Sequence, residues 1–269
     1  MKRLRALASF LPFSLGFTSV AATQSPPSQP AEFIQVITVT ARSGAVREYE
    51  DFTRKITNAA NKIGAPQRWF TSQVSLGGPG RTYSIVLPFS KWEEVDKWMP
   101  VSQIIFKAHG QAEGTRILKA GGAAMERTET AVYRLLPDLS TRPKVFDPPA
   151  AFMHLFVTEV EPAMVPAWEG YLARLRTAQE KSPQAPTAVR RVAVLGAANT
   201  YVTAVPFNSF AERDSWPSNL TILREAYGET EARSLEETRL RCVRNARQLV
   251  MAYRADLSRP TAGPAPTSR

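Results

Sequence analysis

The 269-residue chain carries one cysteine, Cys242, and two histidines, His109 and His154. A single thiol excludes an intrachain disulfide, so stability has to come from a packed core. A closed zinc site requires about four Cys or His ligands, so three such residues argue against one and no metal is expected. There is no Gly-x-Ser-x-Gly elbow, no Walker loop and no Gly-x-Gly-x-x-Gly after a strand. Gly77-Gly78-Pro79-Gly80 is a turn without the following helix that would hold a phosphate. The chain also lacks a basic-aromatic motif of the kind that reads nucleic acid, so no nucleic-acid partner is expected.

Acidic residues are in the minority, 24 against 34 Lys and Arg. Three of the excess cations, Lys2, Arg3 and Arg5, belong to an N-terminal segment that reads as a signal peptide. A basic start leads into a short apolar stretch broken by Pro12 and Gly16, and Ser19-Val20-Ala21-Ala22 offers small residues for cleavage. The stretch is shorter than the roughly 20 apolar residues of a spanning helix. Export to a periplasmic or extracellular space is therefore expected for residues 1–22, with an uncleaved anchor as the alternative, and no later run spans a membrane. The arginines near the C-terminus, Arg233, Arg239, Arg241, Arg244 and Arg247, are interleaved with Glu231, Glu236 and Glu237, which fits a solvated face. Cys242, beside Leu240 and Val243, reads as a small buried hydrophobe.

What the sequence does have is internal self-similarity with a period of about 118 residues. Tyr83 to Trp98 (YSIVLPFSKWEEVDKW) lies over Tyr201 to Trp216 (YVTAVPFNSFAERDSW) with six identities in 16 positions. Upstream, Phe33 matches Phe152, Tyr49 matches Trp168 and Glu50 matches Glu169. Downstream, the segment ending His109-Gly110 matches the one ending Tyr227-Gly228. Proline-rich stretches punctuate the copies, so the organisation reads as leader 23–32, first unit 33–139, linker 140–151, second unit 152–258 and tail 259–269.

Within each unit the pattern is strand, helix, strand, strand, helical region, strand. Phe33 to Thr40 and Phe152 to Glu159 are strand-like runs. Val46, Tyr49, Phe52, Ile56 and Ile63 recur at helical spacing, as do Val165, Trp168, Leu172 and Leu175. Gly77–Gly80 and Gly196–Asn199 read as hairpin turns. Ser90 with Glu93, and Ser209 with Glu212, read as capping boxes. This is the βαββαβ or ferredoxin-like order. The expected fold is therefore α+β, with two tandem units packed sheet to sheet as an intramolecular dimeric α/β barrel. Two independent domains are the alternative.

The aromatic-acid pairs Tyr49-Glu50 and Trp168-Glu169, the Gly-containing hairpin and the Pro-Phe-x-x-aromatic-x-Glu-x-Asp-x-Trp block resemble the dimeric α/β-barrel superfamily, near its NIPSNAP-like and antibiotic-biosynthesis-monooxygenase-like members. The resemblance covers residues 33 to 258. It implies the fold and leaves the function open, because the superfamily includes cofactor-free oxygenases, haem-handling enzymes and proteins of unknown role.

Alternation places Phe33, Gln35, Ile37 and Phe152, His154, Phe156 toward the space between the sheets, with Ile34, Val36, Met153, Leu155 and Val157 toward the helices. Gln35 and His154 hold matching places, and His154 is the candidate base or orienting group. Gln35, His154, Tyr83, Tyr201, Phe156 and His109 are the candidate ligand residues. Trp92, Asp96, Trp98 and their counterparts Phe210, Asp214, Trp216 read as packing blocks, and Glu50 and Glu169 as solvated helix-face acids. The leading expectation is an exported protein that binds a small apolar molecule between its units, with catalysis left open. A cofactor-free or haem-assisted monooxygenase-type enzyme and a structural or interaction protein are the alternatives. No cofactor is expected on the leading reading, haem belongs to the enzyme alternative, and oligomerisation is left open.

Overall fold

The structure, a computed structural model, describes residues 30–145 and 149–261. The expected signal segment lies outside the described residues, as does the tail beyond 261. The first half contains β1 (Phe33–Ala41), α1 (Val46–Ile63), β2 (Phe70–Leu76), β3 (Thr82–Phe89), α2 (Val101–His109), α3 (Gln111–Ala124) and β4 (Met125–Leu135). The second contains β5 (Phe152–Val160), α4 (Val165–Lys181), β6 (Val189–Leu195), β7 (Thr200–Phe207), α5 (Phe210–Asp214), α6 (Asn219–Tyr227), α7 (Glu229–Cys242) and β8 (Val243–Tyr253).

The eight strands close into one antiparallel barrel in the order β1-β3-β2-β8-β5-β7-β6-β4. The expected α/β barrel is observed, and what closes it is pairing between the edges of the two four-stranded halves. β2 pairs with β8, and β4 pairs with β6. Each half supplies strands in the order 4-1-3-2, whose two outer edges carry unpaired backbone groups. Joining the edges of one half to those of the other satisfies them and leaves no open sheet. Short segments after each half's last strand extend the exchange. Thr141 bridges Ala188 of the second half, and Arg259 bridges Trp69 of the first. Ser140 to Arg142 is thus built into the fold, although it was expected to be linker, and so is Arg259, expected to be tail. Arg142 donates to the carbonyls of Gln179, Ser182 and Ala185 beyond the end of α4, and Arg259 donates to the Asn61 side chain at the end of α1.

The seven helices among the described residues lie against the outside of the barrel. α1 presents Ala59 and Ala60, α2 presents Ile104 and Ile105, and α3 presents Ile117 to the sheet residues Ile37, Ile85 and Leu87. α4 presents Trp168, Leu172 and Leu175 to Tyr201 and Val192. The strand faces are therefore the reverse of those expected. Gln35, Ile37, His154 and Phe156 lie on the helix-covered side, and Ile34, Val36, Leu155 and Val157 line the inside of the barrel. α1 ends where the sequence supplies Gly64, at φ +65°, whose N–H bonds back to the Ala60 and Asn61 carbonyls.

At the first hairpin exit Glu94 accepts from the Ser90 and Lys91 backbone N–H groups, displacing Glu93 from its expected capping role. Glu94 is also the residue that aligns with Glu212, which accepts from Asn208 N while Ser209 Oγ accepts from Glu212 N. The aromatic blocks do pack as expected: Phe33, Phe89, Trp92 and Trp98 cluster in one half, and Phe152, Phe207, Phe210 and Trp216 in the other. Cys242 is fully buried.

The β2–β3 hairpin seats on β8 through Gly77, which has φ +83° and where a Cβ would fall 2.3 Å from the Gln248 carbonyl oxygen. Gly44, at φ +82°, has no atom within 4 Å of that position. Gly44→Ala should lose about 1–2 kcal/mol for its left-handed backbone, and Gly77→Ala at least about 1 kcal/mol more from the clash. Equal losses in urea unfolding would mean that the hairpin does not bear on β8.

Candidate functional site

The helix-covered face of the second half is not filled. A cavity of about 350 Å³ lies between the sheet and the helices. β5 directs His154, Phe156 and Thr158 to it at every second position, β6 adds Arg190, β7 adds Thr203 and Val205, and β8 adds Gln248. α4 contributes Trp168, Tyr171, Leu172, Leu175 and Gln179, the i, i+3, i+4, i+7, i+11 stripe of one helix face. Trp216, Arg213 and Arg239 complete the wall, and no carboxylate lines it.

Arg190 dominates its electrostatics. Its side chain is 2% exposed and has no acidic partner. Burial, the largest cause, pushes its guanidinium down to about 10, so it remains a cation at neutral pH. One terminal nitrogen donates to the Leu139 carbonyl and to Thr141 Oγ1 at 3.3 Å. The other donates to Gln179 Oε1 at 2.8 Å, which also accepts from Thr141 Oγ1 at 2.6 Å. Its Nε–H has no acceptor, and neither do two further buried groups in the same wall, Trp168 Nε1 and Tyr171 OH. Unmet buried donors are costly, about 1–3 kcal/mol each; three of the four among the described residues belong to side chains of this wall, and the fourth is Tyr49 OH in the first half. Burial also pushes the Tyr171 phenol up to about 12, which keeps its proton in place.

His154 is 5% exposed and lies against Phe156, with ring centroids 4.1 Å apart and the planes tilted by 35°. Its Nε2 lies 3.2 Å from Gln248 Oε1. With the amide oxygen as acceptor, Nε2 carries the proton and Nδ1 the lone pair. Burial first, and then the Arg213 charge, lower its pKa below the usual 6.5. Arg213 has no ion-pair partner among the described residues, whereas Arg239 is paired with Glu236.

The matching region of the first half has the same register and different contents. Arg190 stands opposite Thr203, which stands opposite Phe156. Thr71 stands opposite Ile85, which stands opposite Ile37. Thr71 thus holds the place of Arg190, and along α1 Ala60 and Phe52 hold the places of Gln179 and Tyr171. Trp69 fills the place of Ala188, and Gly121 lies where α7 has Arg239, with Phe52 so close that a Cβ there would fall 2.4 Å from its ring.

Of the six residues expected at a site, His154 and Phe156 line the cavity. Gln35 holds the matching place in the first half. Tyr83 and Tyr201 do not line the cavity. Each donates to the acid of the facing helix, Tyr83 to Glu50 at 2.8 Å and Tyr201 to Glu169 at 2.7 Å. Glu50 and Glu169 are therefore not simply solvated. Glu50 also accepts from Arg54 and Arg254, and the Arg254 bond holds it below the usual carboxylate range. His109 ends α2 and is exposed. Arg190, Gln179, Tyr171, Gln248 and Arg213 were not anticipated. The signal that could have found Arg190 is the Arg190-Arg191 pair inside the β-branched run that forms β6. Among the described residues no group of three or more His, Cys, Asp or Glu could hold a metal ion, and no helix is long and apolar enough to cross a membrane.

No family model matches the chain, and no curated protein does. Solved structures do. A Lactobacillus acidophilus protein provisionally designated a monooxygenase superposes with a TM-score of 0.50 at 11% identity, over 88% of this chain and 98% of its own. A Fusobacterium nucleatum protein with the same provisional designation gives 0.54 at 9% identity, over 88% and 97%. A variant chlorite dismutase from Candidatus Nitrospira defluvii gives 0.49 at 5% identity, over 84% and 93%. At these identities the likeness to the first two defines the fold alone: a closed eight-stranded α/β barrel formed within one chain, consistent with the dimeric α/β-barrel fold.

Neutral burial of His154 makes a pH prediction. A base whose folded pKa is depressed is matched in both states above pH 6.5 and is penalised in the fold once the unfolded imidazole takes up its proton. The wild type should therefore lose stability relative to His154→Gln as pH falls below about 6.5. Parallel urea-midpoint curves for the two proteins between pH 8 and pH 5 would contradict it.

Proposed function

We propose that the chain binds a small planar organic anion in the second-half cavity. The observation that carries this is Arg190, a buried cation without a carboxylate partner whose Nε–H is unmet. An anion in the cavity that Arg190, Trp168 and Tyr171 line would supply the counter-charge that no carboxylate of the wall provides. The rings of Trp168, Tyr171, Phe156 and Trp216 supply flat walls suited to an aromatic or conjugated body. This reading replaces the apolar ligand between the units, because the cavity lies between sheet and helices and its lining is cationic. The matching registers of the two halves support a tandem duplication in which one copy became core and the other a site.

A second reading builds on the same ligand and rests on His154. A neutral imidazole with a free Nδ1 can take a proton from a carbon acid whose enolate Arg190 stabilises. Oxygenation of such a CH₂ group to a ketone by O₂ releases one water and requires no external reductant. The provisional designation of the two structural neighbours is compatible with this reaction and does not carry it.

A haem-assisted form of this reading would rest on His154, whose Nε2 is bonded to Gln248 and whose Nδ1 is free; Tyr171 favours its protonated form and His109 does not line the cavity.

Isothermal titration of the chain with 2-naphthoate tests the binding. Arg190→Gln should weaken it about 10- to 100-fold, the worth of a charge-assisted hydrogen bond. Arg213→Gln, at a half-buried residue without an ion pair, should weaken it in the same direction without disturbing the core. Wild-type binding that neither substitution alters, or no binding at all, would overturn the proposal.

A further inference from the structure

A second cavity, of about 310 Å³, adjoins the first. His154, Gln248 and Arg213 line both spaces, which therefore meet at these three side chains. Beyond them the lining changes character to Leu76, Phe210, Leu249 and Val250, with Leu76 53% and Phe210 40% exposed at the rim. The wall is also shared between the halves. Leu76 and Gly77 come from the β2–β3 hairpin of the first half, and the remaining residues come from the second.

The placement of Leu76 has a specific cause. The β2–β8 register slips between Val74 and Leu76, and the missing Cβ of Gly77 lets the hairpin close onto the Gln248 carbonyl. Gln248 is the residue whose side chain meets His154. The first half therefore reaches the edge of the second half's site and gives it an apolar extension that the second half lacks on its own.

We infer that the ligand is an amphipathic carboxylate or acidic enol, with its anionic conjugated head in the inner cavity and an apolar tail passing His154 into the outer one. The inference rests on the anion reading of the inner cavity and adds a tail-recognition subsite supplied by the first half. Head and tail have different determinants: Arg190 for the head, Leu76 and Phe210 for the tail. A polar tail would lose the apolar contact at that rim, and a tailless acid would leave the rim exposed.

Affinities of the full chain for benzoate, 4-ethylbenzoate and 4-hexylbenzoate, measured by titration below the micellar range, separate the two claims. Each CH₂ buried in the outer cavity should tighten binding about fourfold, and Arg190→Gln should weaken all three acids alike. Leu76→Asp, at an exposed strand end, should abolish the gain with tail length, read as the ratio of hexyl to unsubstituted acid within the same variant. Phe210→Ala should reduce the same gain. Benzoate that binds without any gain for the hexyl acid would overturn the tail subsite and leave the anion site standing. So would a gain that survives Leu76→Asp. If none of the three acids binds, both claims fall together.

Discussion

The pairing of β2 with β8 and of β4 with β6 is the constraint on which the molecule depends. Each half alone would leave two strand edges with unpaired N–H and C=O groups, and the exchange of edges removes all four at once. The arrangement then propagates. It brings Ser258 and Arg259 against β2 and Ser140 to Arg142 against β6. It also sets the Gly77 hairpin on the backbone of Gln248, and through Gln248 it bears on His154.

Closing the barrel does not require the two outer faces to be alike, and they are not. In the first half Ala60, Phe52, Trp69 and Thr71 make an apolar contact between α1 and the sheet. In the second, Gln179, Tyr171, Ala188 and Arg190 occupy the same register positions around a cavity. A buried guanidinium held by carbonyl and amide oxygens, with no carboxylate, is a poor device for stability. Its retention makes physical sense if a ligand's negative charge completes the set.

Much of the fold was legible in the repeated block from Tyr83 to Trp98 and its copy, because turns, caps and aromatic contacts are local. The orientation of β1 and β5 was not. Both faces of these strands carry apolar side chains, Ile34 and Val36 on one and Phe33 and Ile37 on the other, so alternation alone could not say which met the helices. His154 and Phe156 were identified and assigned to the wrong space for that reason. Arg190 was not singled out, because an arginine within a strand carries no local sign of the cavity it lines. Its partners Gln179 and Thr141 come from α4 and from the segment after β4, a juxtaposition set by barrel closure and not by any local pattern. Glu50 looked like an ordinary helix-surface acid because its partners Tyr83 and Arg254 lie 33 and 204 residues away.

The central claim is that Arg190 is the cation that holds an anion in the second-half cavity. Nitrogen-15 NMR of the arginine Nε–H groups, followed while a small aromatic carboxylate is added, addresses it directly. The account predicts that the Arg190 resonance, assigned by its loss in Arg190→Gln, moves downfield and its hydrogen exchange slows as the ligand saturates. A resonance that stays in place while other signals report binding would contradict it.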